Sequence, residues 1–190
     1  MTGEGATIHR SAGVDTLPVL LRCEAGLMVK VRYVFDTLFL AAGIPVRYVD
    51  AAPAAGPWVE YAVRPQEGNH RSADLFIAHD PAAWESFAGD WLPDKAETHK
   101  DLPLVFPPRG ELGLPAPGIG FDLAANSFYF LCSWAERRGG TKGQSRQLYA
   151  TSEFVRLGVP QDIVDRYLKL LVERLTFLRA SSGAVARARA

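Results

Sequence analysis

PVLLRC, near the start of the chain, is apolar and closed by Gly26, the pattern of a first strand. The period then changes. Val31, Val34, Phe35, Leu38 and Ala42 recur at helical spacing with Gly43 behind them, which predicts a helix from Met28. IPVRYVD alternates like a strand, APAAGP is a loop, and WVEYAV alternates again with Val59, Tyr61 and Val63 on one face. ADLFIAHDP reads as a short buried strand stopped by Pro81, and AAWESFAGDW as a short helix carrying Trp84 and Phe87. LPDKAETHKD is polar and irregular, LPLVFPPRG reads as a last strand, and ELGLPAPGIG is a Pro/Gly connection.

A helix follows from Phe121 to about Arg138, apolar almost all the way round and stopped by Gly139-Gly140. TKGQSRQLYATSEFVRLG has no strong period and reads as an extended polar wrap. Pro160 suits the first turn of a closing helix, where Ile163, Val164, Tyr167, Leu168, Leu171, Leu175 and Leu178 form an amphipathic stripe. Strands alternating with helices predict one α/β domain, a small mainly parallel sheet flanked by helices, over residues 16–180. Residues 1–15 read as a flexible lead-in and 181–190 as a tail or linker.

Composition narrows the function classes. A chain of 190 residues buries roughly 70% of its unfolded surface, enough for a core without staples. Its formal net charge is zero, so it lacks the basic field of a nucleic-acid binder. Cys23 and Cys132 are too few for a disulfide framework or a zinc site. MTGEGATIHRSAGVD has no apolar signal-peptide region, and no run reaches the roughly 18 apolar residues of a membrane span. The expectation is a cytoplasmic, reduced chain with no nucleic-acid and no membrane partner.

The helix opening at Phe121 carries a thin polar row. Asp122, Asn126, Tyr129, Ser133 and Arg137 follow at spacings of four, three, four and four, on one face. The row reads either as the solvent face or as the border of a cleft or interface, with Phe130 and Trp134 as contact anchors. Asp122 also suits an N-cap. So narrow a polar sector suggests a helix packed on several sides.

Reactive groups are sparse. His79-Asp80 ends a predicted strand, where open α/β sheets gather ligands, so the pair is either a strand-end site or a strand-end cap. No second histidine lies one helical turn from another, and His9, His70 and His99 sit in unrelated polar loops, so no metal site is expected. Gly118-x-Gly120 is half of a dinucleotide fingerprint with Leu123 at the third position, and no cofactor is expected. There is no Gly-x-Ser-x-Gly elbow, and neither cysteine has a histidine nearby in sequence; no catalytic set emerges. Trp58, Trp84 and Trp91 lie beside loops, where they either stack on sugar rings or fill the core.

FDLAANSFYFLCSWAER resembles a signature of the uncharacterised bacterial domain found N-terminal to polysaccharide deacetylase (carbohydrate de-N-acetylase) catalytic domains. Phe121, Asp122, Phe128, Tyr129, Leu131 and Glu136 fit that signature. Cys132, Ser133, Trp134 and Ala135 stand where it has Ser, Arg, Tyr and Glu, and QSRQLY replaces its Gly-Arg-Phe turn. VPQDIVDRYLKLL is similar to the closing helix of that domain at Pro160, Val164, Asp165 and Leu168, and VRYVFDTLFLAAGIPVRYV to its early helix–strand unit. The resemblance implies a non-catalytic accessory role: docking a deacetylase catalytic domain in cis or in trans, or positioning a glycan. The alternative is a stand-alone small α/β enzyme or small-molecule binding module with a site near His79, Asp80 and Asp122.

Overall fold

The apolar runs of the first half assemble side by side. A computed structural model describes residues 16–64, 73–89, 91–108, 118–134 and 152–188, the last eleven as backbone alone. In chain order the elements are β1 (Leu17–Leu21), α1 (Met28–Ala41), β2 (Val46–Val49), β3 (Val59–Ala62), β4 (Leu75–Ala78) and α2 (Pro81–Glu85). There follow a 3-10 turn (Ser86–Ala88), β5 (Glu97–His99), β6 (Leu102–Leu104), β7 (Gly118–Ile119), α3 (Leu123–Leu131), α4 (Glu153–Arg156) and α5 (Ile163–Ala188). Five strands form one sheet in the order β2-β1-β3-β4-β7, and every pair is parallel.

The central strands β3 and β4 are buried at every position, as expected of parallel strands covered on both faces. Glu60 and Ala62 are thus as enclosed as Val59 and Tyr61, and only Val63, past the strand end, emerges. The helical stripe of α1 (Val31, Val34, Phe35, Leu38 and Phe39) packs in one cluster with Val19, Val59, Tyr61, Leu75 and Ile77. Each such side chain contributes about 1.5–3 kcal/mol on burial. Ile163, Tyr167, Leu171 and Leu175 of α5 complete that cluster, while Ala62, Phe76 and Ala78 form a smaller one. The described residues thus make a small α/β domain.

Six local readings change. LPDKAETHKD is not irregular throughout: β5 pairs antiparallel with β6, Glu97 opposite Leu104. Lys100 (φ 48) and Asp101 (φ 67) are both left-handed, which is what a tight primed hairpin turn demands. LPLVFPPRG therefore enters a separate two-stranded sheet, and the fifth strand of the main sheet is β7, inside the presumed connection, with Phe76 opposite Gly118 and Ile77 opposite Ile119. α3 leaves the helical path at Ser133 (φ 47). α4 lies in the stretch read as an extended wrap, and α5 continues into the stretch read as a tail. Residues 1–15 lie outside the described residues. No described helix is long and apolar enough to cross a membrane.

Candidate functional site

β4 and β7 are parallel neighbours, so the residues following each leave at the same edge of the sheet. This brings His79 and Asp122 together across 43 residues of sequence. Asp122 Oδ2 accepts from His79 Nδ1 (3.2 Å), Tyr61 Oη (2.8 Å), Trp84 Nε1 (3.0 Å) and the Asp80 backbone N–H (2.8 Å). Its Oδ1 caps α3, accepting from the Ala125 N–H at 2.8 Å. The carboxylate is fully buried, its side chain 0% exposed. An anion removed from water persists where hydrogen bonds replace its hydration, and five donors do so here.

Tyr61 Oη also lies 2.8 Å from His79 Nδ1 and 2.9 Å from Trp84 Nε1. The phenol has a single proton. With the imidazole proton on Nδ1, His79 donates to Tyr61 and Asp122 while Tyr61 donates to Asp122, and every contact pairs a donor with an acceptor. Burial first, and the Asp122 charge next, push the Tyr61 phenol well above its ordinary value, so it keeps its proton at neutral pH. The Asp80 carboxylate turns away from this cluster to cap α2, accepting from Ala82 N–H at 3.0 Å. His79-Asp80 is therefore a divided pair, one side chain inside the cluster and the other a helix cap.

The polar row on α3 is also interior. Asn126 Oδ1 accepts from the N–H groups of Val105 (2.8 Å) and Phe106 (3.0 Å). Its Nδ2 donates to the carbonyls of Phe106 (3.0 Å) and Asp122 (2.9 Å), so all four bonding positions are filled. Buried Tyr129 donates to Glu153, which Arg156 holds through Nε (2.8 Å) and Nη2 (2.6 Å). Burial raises the Glu153 carboxyl, but Arg156 and Tyr129 outweigh it and leave the group below its ordinary value. Burial, then Glu153, push the Tyr129 phenol up. Asp122, Asn126 and Tyr129 thus face the interior and not solvent or an open cleft, which corrects the surface readings for these three residues. A helix packed on several sides must give its polar groups protein partners. Ser133 is exposed, Trp134 is half-buried edge-on to Phe87 (5.0 Å), and Arg137 lies outside the described residues.

The other candidates separate. Cys23 leaves β1 at the same sheet edge, but burial and then Asp122 raise its thiol, the reverse of an activated nucleophile. The helix N-terminus behind Gly120 is taken by the Asp122 carboxylate itself. Among the described residues no group of three or more His, Cys, Asp or Glu could hold a metal ion. His99 sits on β5 beside the Phe121 ring, and His9 and His70 lie outside the described residues. Trp58 and Trp84 are core residues, whereas Trp91 is 41% exposed with one face stacked on Phe106 at 5.3 Å.

Sequence reasoning missed Tyr61 as a cluster member and the Glu153–Arg156 pair altogether. The inward phase of Tyr61 beside Val59 was the available signal, because a buried phenol needs a hydrogen-bond partner. Fold and site together define an α/β protein with a sealed polar cluster where its parallel strands end. No known protein family, curated protein or solved structure matches this chain.

Proposed function

We propose that the chain is a non-catalytic accessory module of a polysaccharide-deacetylase-like system, docking a catalytic domain or positioning a glycan. One observation carries this reading: the described residues behind the deacetylase-associated resemblance are largely spent on folding. Phe121, Asp122 and Tyr129 are buried, and the two polar members are hydrogen-bonded within the chain. A signature of this kind marks a fold and not a reaction, since a reacting group must come within hydrogen-bond reach of substrate. The side chains of His79 and Asp122, at 2% and 0% exposure, do not offer that reach.

Contact surface lies elsewhere. Trp91, supported from behind by Phe106, stands beside partly exposed Leu92, and the outer side of α1 carries Val29, Tyr33 and Leu40. Open aromatic and aliphatic groups of this sort anchor partners. The test is to pass the purified chain over an immobilised de-N-acetylase catalytic domain and over an N-acetylglucosamine oligomer. Retention by either, weakened by Trp91→Ala, is the expected result, and retention by neither rejects the reading. The convergence of His79 and Asp122 favours a second reading, a small enzyme or small-molecule module at the strand ends. That reading requires acetate release, or another turnover, by the chain alone.

A further inference from the structure

The strand order β2-β1-β3-β4-β7 reverses at β1: the chain passes from β1 to β2 on one side, then crosses back to β3 on the other. In open parallel sheets ligands gather beyond the carboxyl ends of the strands, near such a reversal. A cavity of about 150 Å³ opens beside that point. It lies between the ends of β1 (Leu20 to Arg22) and β2 (Tyr48 to Asp50), with Met28 and Arg32 of α1 on its wall. At roughly 30 Å³ for each water of liquid volume, it holds about five waters. That suits a tetrahedral oxyanion with a water or two, and falls short of the roughly 300–1,000 Å³ of drug-sized sites. Its exposed wall is more polar than apolar.

Three charged side chains line it, Arg22, Arg32 and Asp50. Arg22 Nε donates to the buried Glu60 carboxylate at 2.7 Å, which anchors that arginine. The Arg32 guanidinium lies over the Tyr48 ring, 4.8 Å from its centroid, and Tyr48 is itself pinned by donating to Asp36 at 2.7 Å. Neither Arg32 nor Asp50 forms an ion pair among the described residues. A guanidinium matches an oxyanion with its fork of N–H donors. A carboxylate beside two arginines repels a fully deprotonated anion but accepts a hydrogen bond from one that keeps a proton. The geometry points to a binding site for a phosphate group that retains an O–H. Arg32 pairs with the phosphate oxygens, Arg22 adds positive charge, and the O–H donates to Asp50. Sulfate, alike in shape but without a proton at neutral pH, is rejected by the same carboxylate. This site is independent of the accessory reading, and β3 separates it from the closed cluster at the ends of β4 and β7.

The experiment is calorimetric titration of phosphate, sulfate and glycerol 3-phosphate into wild type, Arg32→Gln and Asp50→Asn at fixed ionic strength. It is run at about pH 6, where roughly half of a phosphate monoester still keeps a proton. Arg32 and Asp50 are exposed, so both variants should fold, which thermal melts verify. Arg22 is left in place because its loss would strand the buried Glu60 carboxylate. The expected result is one phosphate per chain, weakened about tenfold by Arg32→Gln. Wild type should bind sulfate at least about tenfold more weakly than phosphate, and Asp50→Asn should narrow that gap to about twofold. Glycerol 3-phosphate bound as well as phosphate assigns the site to a phosphorylated small molecule, and its exclusion assigns the site to the free ion. No phosphate binding to wild type at millimolar concentration, equal phosphate affinity for wild type and Arg32→Gln, or sulfate bound as tightly as phosphate overturns the assignment.

Discussion

Replacing Asp122 by Ala removes the acceptor of five hydrogen bonds at a position closed to water. Three of the donors have somewhere else to go. His79 can move its ring proton to Nε2, whereupon Tyr61 turns its own to Nδ1 at 2.8 Å and Trp84 Nε1 rests on Tyr61 Oη at 2.9 Å. The loss therefore falls on the Asp80 and Ala125 N–H groups, whose acceptor is gone. At about 1–3 kcal/mol for each buried donor, Ala125 including the helix cap, the cost is about 3–5 kcal/mol. That is a large share of the ~5–15 kcal/mol that holds a domain folded. Asp122→Asn keeps the shape and, with its carbonyl in the Oδ2 position, four of the contacts; its amide then opposes the Ala125 N–H. A cost of about 1–2 kcal/mol follows. Urea unfolding monitored by tryptophan fluorescence gives both numbers. An Ala variant within about 1 kcal/mol of wild type, or an Asn variant as damaged as the Ala variant, refutes the reasoning.

Other perturbations have definite expected outcomes. Asn126→Leu strips acceptors from the Val105 and Phe106 amides and should cost about 2–4 kcal/mol in the same assay. The Glu153 carboxyl is held below its ordinary 4.5, so its contribution is present above that pH and is lost as pH falls through the depressed value. Glu153→Gln should flatten the acid limb of a stability–pH curve. Tyr61, Tyr129 and Tyr167 are pushed above the ordinary 10.0, chiefly by burial, so their contribution is intact below that pH and erodes as pH climbs beyond it. Phenolate absorbance should accordingly appear together with unfolding during alkaline titration. Trp91→Ala, at an exposed site, should change stability by no more than about 0.5 kcal/mol while weakening capture of glycan or catalytic domain.

The legible parts of this fold are those written in one local period. The stripe from Val31 to Leu38 announces α1, and Gly43 (φ +66) ends it in the left-handed conformation that glycine adopts freely. The narrow polar sector of the Phe121 helix signals a helix packed on several sides, and α3 is buried at seven positions, Leu123 to Ser127, Tyr129 and Phe130. Asp122 as an N-cap is likewise a local property. What stays hidden depends on pairing at a distance. β7 has two residues and exists because β4 lies beside it, so a Pro/Gly stretch gives no sign of it. The β5–β6 turn uses Lys100-Asp101, which lacks the Asn-Gly pattern that marks such turns. The sequence groups His79 and Asp122, with Asp80, only as the alternative site; the pairing of β7 with β4 that brings the first two together gives no local sign, and Asp80 turns away to cap α2.

The most direct test of the central claim, that the strand-end cluster is a closed structural clasp, is native-state hydrogen exchange at the Asp80 and Ala125 amides. Both donate to Asp122 at 2.8 Å in the buried cluster. The account predicts that they exchange only through global unfolding, with an opening free energy equal to that from urea denaturation. Exchange through a local opening several kcal/mol cheaper than global unfolding would contradict it and describe a site that opens to admit a substrate.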